Sequence, residues 1–337
     1  MTDNYDIALV VGTRPNFVKA APLLNKLEEQ NKKVLFIHTG QHFDENMSKN
    51  IFDDLSMRAP DTNLNAPSDS QSKQFQYIVE ELQKIFKNCN IGKVGVFGDV
   101  TSTLAASIAA KQSEIFLFHV ESGLRSNNLT MPEERNRIMV DAISDLLLIP
   151  SEDARENLLK ERVSSDKIHN VGNIMIDTLF KNKSKIIHNS ENIKDTLNIN
   201  KPYFVITLHR PSNLNDDTLK DIFEAISNFT QDYQVILPAH PRLKNYIGDN
   251  NIELTNIILI DPLSYIDFMS LVYGCDLVLT DSGGIQEETT YLGINCLTLR
   301  EETERPITVQ EGTNKVIGTN KENIINEINN VLGSKIS

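Results

Sequence analysis

Leu279-Thr280-Asp281-Ser282-Gly283-Gly284-Ile285-Gln286-Glu287-Glu288 passes from one regular element straight into another. A buried strand from Asp276 stops at Asp281-Ser282, a Gly-Gly turn follows, and a helix starts with Gln286-Glu287-Glu288. Small residues there let backbone approach a ligand closely, and the free N–H groups of the first helical turn point at it. Such a terminus suits an anion, a phosphate or diphosphate above all. Glu287 and Glu288 add carboxylates able to hold a sugar or ribose hydroxyl. By themselves the same residues also fit an ordinary strand-to-helix turn whose acids favour the helix dipole. The rest of the chain decides between the two.

Working outward, short apolar runs recur with helical segments between them. Ile7–Val11, Val34–Ile37, Val94–Phe97, Ile115–Val120, Leu146–Ile149 and Ile168–Val171 read as strands of one parallel sheet covered on both faces. Residues 56–70, rich in Pro, Asn, Asp and Ser, read as a long surface loop. Asn173 to Asn200 is polar and strandless, a helix plus a connection. A second series follows at Phe204–Thr207, Val235–Leu237, Ile257–Leu259, Leu277–Thr280 and Cys296–Leu299. The fold expected is therefore α/β, two doubly wound, Rossmann-like domains facing a cleft. Residues 1–171 form the first and 172–319 the second, with a C-terminal helix in 320–337 packing back on the first. In such sheets ligands bind beyond the carboxyl ends of the strands.

A length of 337 residues fits two domains of ordinary size. The net charge of −13 argues against nucleic acid or an anionic membrane as partner, so positive charge toward an anionic ligand has to be local. No apolar run reaches a membrane span of roughly 20 residues, and the polar Met1–Asp6 is unlike a signal peptide. Three scattered cysteines (Cys89, Cys275, Cys296) frame neither disulfides nor a metal knuckle, which points to the cytoplasm.

The informative charges stand just after strands. Arg14, between Gly12-Thr13 and Pro15, opens a helix where a cation opposes the dipole unless an anion lies between, and Arg305-Pro306 repeats the contradiction. A nucleoside diphosphate would resolve both. Lys19 lies about one turn beyond Arg14. Asp99 precedes Thr101, where a helix N-cap would explain it as well as chemistry would. Glu121 ends a strand and has no such capping explanation. Glu133 and Glu134 follow Pro132, and one of the two is expected to be structural, with Arg135 and Arg137 as ion-pair partners. His209, past Phe204–Thr207, suits proton transfer or a phosphate contact, and so does His240 in Pro238-Ala239-His240-Pro241-Arg242. His38 and His42 flank Gly40, which makes a helical metal pair improbable, and no cluster has metal spacing. Neither G-x-G-x-x-G after the first strand nor G-x-x-x-x-G-K-[ST] is present, so neither a dinucleotide cofactor nor a P-loop is supported.

Together these stretches resemble the non-hydrolysing UDP-N-acetylglucosamine 2-epimerases. The resemblance runs in the family's order through Gly12-Thr13-Arg14-Pro15, Thr39-Gly40-Gln41-His42, Gly98-Asp99, His119–Arg125 and Pro132-Glu133-Glu134. It continues through Gly172-Asn173, His209-Arg210, Asp281–Glu288, Thr303–Pro306 and Glu311-Gly312-Thr313. It implies the GT-B fold and a redox-neutral, cofactor- and metal-free reaction. UDP leaves C1 as the C2 proton is removed, giving 2-acetamidoglucal, and UDP adds back with a proton on the opposite face. On matching positions it implies an acid/base and positioning set of Asp99, Glu121, Glu133 and His209, with the proton-removing carboxylate left open among them. It implies a UDP-holding set of Arg14, Lys19, Arg137, His209, Ser282, Gly283, Gly284, Glu288 and Arg305, with Phe268 near the uracil, and a homodimer.

The chain departs from many members at Gln41-His42-Phe43-Asp44, in a loop that helps form a regulatory UDP-N-acetylglucosamine site in the family. It departs again at His209-Arg210-Pro211-Ser212 and in a short segment between Arg125 and Pro132. These changes resemble relatives acting on modified sugars such as UDP-2,3-diacetamido-glucuronate. Pro15-Asn16 disfavours the hydrolysing relatives, which usually begin Gly-Thr-Arg-Ala-Asp. A GT-B glycosyltransferase would use the diphosphate site without needing acids on both faces of C2.

Overall fold

The computed structural model describes residues 3–40, 51–67, 69–210, 213, 215–239, 241–250, 252 and 254–333. The chain divides into two compact units, Met1–Phe180 and Lys181–Ser337. The first unit carries β1 (Asp3–Val11), α1 (Arg14–Glu29), β2 (Val34–His38), β3 (Thr62–Asn63), α2 (Gln71–Asn88), β4 (Cys89–Phe97) and α3 (Thr101–Gln112). It continues with β5 (Phe116–Val120), α4 (Pro132–Ile143), β6 (Leu146–Ile149), α5 (Glu152–Lys160) and β7 (Ile168–Asn170). Its seven strands are parallel, in the order β3-β2-β1-β4-β5-β6-β7. Runs such as Ala8–Val11 and Val34–Ile37 are apolar at every position because both faces of a parallel sheet are covered. On one face α3 packs through Ala105, Ala106, Ala109 and Ala110, all without exposure, so its backbone can lie close to the strands.

A helix, α6 (Ile174–Thr196), follows. The second unit carries β8 (Tyr203–Thr207), α7 (Asp216–Ser227), β9 (Gln234–Pro238), α8 (Pro241–Asp249), β10 (Ile257–Ile260) and α9 (Tyr265–Tyr273). After these come β11 (Leu277–Thr280), α10 (Gly283–Leu292), β12 (Cys296–Thr298), α11 (Pro306–Gln310), β13 (Asn314–Val316) and α12 (Lys321–Gly333). Six parallel strands run β10-β9-β8-β11-β12-β13. Both sheets thus start in the middle, wind one way, and return to wind the other. The strand order reverses between β1 and β4 in one unit and between β8 and β11 in the other. A crevice opens at such a point because the helices on either side leave in opposite directions.

Three expectations change. The compact units divide between Phe180 and Lys181, inside α6, where residue 171 was expected, because the helix of the stretch read as a helix plus a connection runs from Ile174 to Thr196. One end of it is tied to α1 by Thr178 Oγ1 donating to the Val18 carbonyl (2.7 Å), and further along Asn189 Nδ2 donates to Asp267 of α9 (2.8 Å). The last helix, expected on the first unit, gives its apolar face to the second unit's own core. Ile324 and Ile328 of α12 lie four apart, fully buried in the second unit's core, and Lys321 pairs with Glu224 of α7 at 2.6 Å. Burying those two isoleucines contributes about 1.5–3 kcal/mol each, which fixes the helix there. Finally, β3 lies within the expected surface loop and β13 had no apolar run to announce it.

Candidate active site

In the first unit one amide clips the crevice. Asn16 Oδ1 accepts the N–H groups of Gly12 (3.1 Å) and Thr13 (3.2 Å), while its Nδ2 donates to the Phe97 carbonyl (3.0 Å). The end of β1 is thereby joined to the end of β4, and α1 starts with Pro15 in its first turn, where the missing N–H costs nothing. Gly98 follows β4 at φ +64°, and a Cβ there would stand 3.1 Å from Lys19 Nζ and 3.4 Å from a Glu121 carboxylate oxygen. Lys19 and Glu121 are both buried and form an ion pair, as charges removed from water must. Glu121 has φ +70°, a left-handed conformation uncommon for a residue with a side chain, so the fold imposes it.

Beside this pair, Arg137 of α4 binds Asp99 and, at 2.6 Å, Glu134. Asp99 does not cap α3, whose N-cap is Val100 without a side-chain bond; its carboxylate faces Arg137 instead. Of the two acids after Pro132, Glu134 is the enclosed one, accepting the N–H groups of Ser126 (3.0 Å) and Asn127 (2.9 Å). Glu133 is half-buried and has no hydrogen bond or ion pair among the described residues. Arg14 stands half-buried at the first position of α1. Asp99, Glu121, Lys19 and Arg137 therefore form two adjoining acid–cation pairs, around Gly98.

In the second unit the clip is a carboxylate. Asp281, without exposure, accepts the N–H groups of His209 (3.0 Å) and Arg210 (2.9 Å), and Asn213 Nδ2 at 3.3 Å. His209 Nδ1 lies 2.6 Å from the same carboxylate, while the rest of this side chain is 55% exposed. Burial opposes the Asp281 charge, but the charge and hydrogen bond of His209 and the two backbone N–H groups outweigh it, holding the carboxyl below its usual range. Ser282 N–H is bonded back to Thr280 Oγ1 (3.0 Å), and Gly283 opens α10 under a carboxylate oxygen of Glu304, which a Cβ would meet at 2.6 Å. Glu304 pairs with Arg300 (2.7 Å) and Arg210 (3.2 Å), and Arg305 with Glu287 (2.9 Å). Tyr265 Oη of α9 donates to Glu288 (2.9 Å), and Phe268, half-buried, is one turn further along α9.

Arg305 needs no external anion to offset the dipole of α11, because Glu287 is the anion. Sequence reasoning also missed Asp281 as the partner of His209, and the roles of Arg210, Arg300 and Glu304. The only signal was position: each stands at a strand end or in the turn after it. Gln41, His42, Pro211, Ser212 and His240 lie outside the described residues. Among the described residues no group of three His, Cys, Asp or Glu has metal-binding geometry, and no helix is long and apolar enough to cross a membrane. Chemically, the first unit offers carboxylates beside cations. The second offers a helix N-terminus, arginines and an imidazole held at Nδ1 with Nε2 left to accept or give a proton.

Comparison with known proteins gives the family and the fold. The family model for UDP-N-acetylglucosamine 2-epimerase matches residues 25–337. The Methanococcus maripaludis UDP-N-acetylglucosamine 2-epimerase is 38% identical over 98% of this chain and 92% of its own. The Pseudomonas aeruginosa UDP-2,3-diacetamido-2,3-dideoxy-D-glucuronate 2-epimerase is 34% identical over 98% of this chain and 93% of its own. The crystal structure of the Methanocaldococcus jannaschii UDP-GlcNAc 2-epimerase in complex with UDP-GlcNAc and UDP superposes with a TM-score of 0.91 at 38% identity, covering 97% of this chain and 92% of that one. The fold is that of GT-B-like epimerases.

Proposed function

Since the chain belongs to the UDP-N-acetylglucosamine 2-epimerase family, we propose that it interconverts UDP-N-acetylglucosamine and UDP-N-acetylmannosamine without hydrolysis. The observation that carries this most is the full-length likeness, at 38% identity, to an epimerase crystallised with UDP-GlcNAc and UDP. The reaction inverts C2, so one base that stays put cannot both remove and return the proton. A carboxylate among Asp99, Glu121 and Glu133 takes the C2 proton as the C1–O bond breaks and UDP leaves with its electron pair. The intermediate is 2-acetamidoglucal. A second group of the set Asp99, Glu121, Glu133 and His209 returns a proton on the opposite face as UDP re-adds. The roles divide by unit. Ser282, Gly283, Gly284, Glu288, Arg305 and Phe268 hold UDP, with N–H groups of α10 toward the diphosphate, where developing charge is stabilised. Arg14, Lys19 and Arg137 bear on the departing anion, Lys19 from its pair with Glu121 and Arg137 from its pair with Asp99. A cytoplasmic homodimer belongs to the same proposal.

A second substrate is favoured by the 34% identity to the diacetamido-glucuronate 2-epimerase. Incubation with each UDP sugar, followed by anion-exchange separation, decides between them. UDP-N-acetylmannosamine from UDP-N-acetylglucosamine supports the first assignment, and turnover of only the diacetamido-uronate supports the second. Free N-acetylmannosamine with UDP would make the enzyme a hydrolysing one. Unchanged turnover in either Glu121→Gln or Glu133→Gln would remove the catalytic assignment.

A further inference from the structure

His119 and Asp141 have no role in the chemistry above, yet both side chains are completely enclosed. His119, on β5, places Nδ1 2.7 Å from Asp141 Oδ1 and Nε2 2.8 Å from the carbonyl oxygen of Gly98. Asp141, on α4, uses its other oxygen to accept the Gly123 N–H (3.0 Å) and Arg125 Nη2 (2.8 Å). Arg125 is held in turn by both carboxylate oxygens of Glu161, at 2.7 Å each, and donates to the Leu124 carbonyl. Buried histidine–aspartate pairs commonly do no more than satisfy each other. Here the contacts fall at chosen points. They grip the chain two residues before Glu121 and two and four residues after it, and they reach the carbonyl immediately before Asp99.

Glu121 lies between those anchors in its left-handed conformation, which a free chain would leave. Its own N–H donates to the Leu148 carbonyl (3.0 Å), so the turn is held against β6 as well. The acceptor count adds a second point. A carboxylate and a carbonyl can only accept, so the His119 ring donates to both only when both of its nitrogens carry protons. Asp141 is ready to accept. Burial opposes its charge, but the His119 hydrogen bond and charge and the Arg125 guanidinium hold its carboxyl below the usual range.

We propose that Asp141 and a doubly protonated His119 are positioning residues that fix Glu121 and the Gly98–Asp99 turn relative to each other, so that two carboxylates meet the substrate in one geometry. This rests on the epimerase assignment. Neither residue touches the reacting atoms; they act through the backbone of Glu121 and Gly98. A misplacement of about 1 Å can cost roughly a hundredfold in rate.

The test uses the full chain with Asp141→Asn, His119→Ala and His119→Gln, whose amide can reach toward the Gly98 carbonyl. We expect kcat to fall roughly a hundredfold in Asp141→Asn and His119→Ala, with KM and the Kd for UDP within about threefold of the unsubstituted chain. His119→Gln should recover part of the loss. In nitrogen-15 spectra of histidine-labelled protein, a ring with two N–H groups that is present at neutral pH should be absent from His119→Gln. Unchanged kcat would overturn the proposal. So would loss of UDP-binding capacity in proportion to activity, with survivors turning over at the full rate, because that describes unfolding alone. Asp141→Asn that fails to fold leaves the two His119 variants to decide. If the unsubstituted chain bound UDP but turned over no UDP sugar, the function would be wrong. The ring spectrum would then decide the proposal, a singly protonated His119 overturning it.

Discussion

The two crevices are built on one topology and closed by different chemistry. In each sheet a single side chain bridges the turn after the first strand to the neighbouring central strand. In the first unit it is Asn16, whose neutral amide receives two backbone N–H groups and donates one. In the second it is Asp281, whose carboxylate receives two backbone N–H groups and also faces an imidazole. An amide bridge supplies geometry alone. A carboxylate bridge supplies geometry and a fixed charge, and that charge orients His209 with Nε2 outward. In the first unit charge enters separately, as the Lys19–Glu121 and Arg137–Asp99 pairs. Structure and reactivity are therefore divided between different residues in one crevice and merged in Asp281 in the other.

The largest effect should come from breaking the merged bridge. Asp281→Ala leaves the His209 and Arg210 N–H groups without their acceptor, and we expect a loss of roughly 3 kcal/mol in urea unfolding at neutral pH. With His209 no longer oriented, kcat should fall roughly a hundredfold. Asn16→Ala removes the neutral bridge, and the expected cost is smaller, about 1.5 kcal/mol in the same assay. Equal losses in the two variants would erase the distinction between the bridges.

Acid sharpens it further. The Asp281 carboxyl is depressed in the folded chain, so its contribution is present above an unfolded aspartate's value of about 3.9 and disappears as pH falls through the lower folded value. The stability gap between the unsubstituted chain and Asp281→Asn should therefore be full at pH 7 and shrink below about pH 4. The gap for Asn16→Ala should not change with pH, since an amide does not titrate. Urea midpoints at a series of pH values measure both. The smallest effect is local. Cys296 of β12 is buried and its thiol is pushed up to about 12, chiefly by burial. Iodoacetamide should modify it only when the second unit opens, faster in Asp281→Ala and unchanged in Asn16→Ala, as peptide mapping would report.

Much of this division could be read before any coordinates. Apolar runs ending in Gly12-Thr13, Gly98-Asp99 and Asp281-Ser282 mark strand ends, because a strand covered on both faces has to be apolar throughout and polar only where it leaves the sheet. That placed Asp99, Glu121, His209 and the α10 terminus correctly at strand ends. What could not be read was who answers whom. Asp281 and His209 are 72 residues apart and meet only because β8 and β11 are neighbours. Glu287 answers Arg305, and Arg137 answers Asp99, through the same kind of tertiary adjacency. The apolar stripe of α12 states that a face is buried and says nothing of which sheet buries it. β13 is too short and too polar at Asn314 and Lys315 to stand out from a loop.

On the proposed function this chain removes and returns a proton at C2 of a UDP-N-acetyl sugar. Proton NMR of the purified protein with UDP-N-acetylglucosamine in D2O tests it most directly. A new UDP-N-acetylmannosamine anomeric signal should appear, and the C2 proton signal should be lost as deuterium enters that position. A UDP-N-acetylmannosamine signal retaining the original C2 proton would contradict proton exchange through these carboxylates. An unchanged spectrum, with the diacetamido-uronate equally untouched, would contradict the epimerase itself.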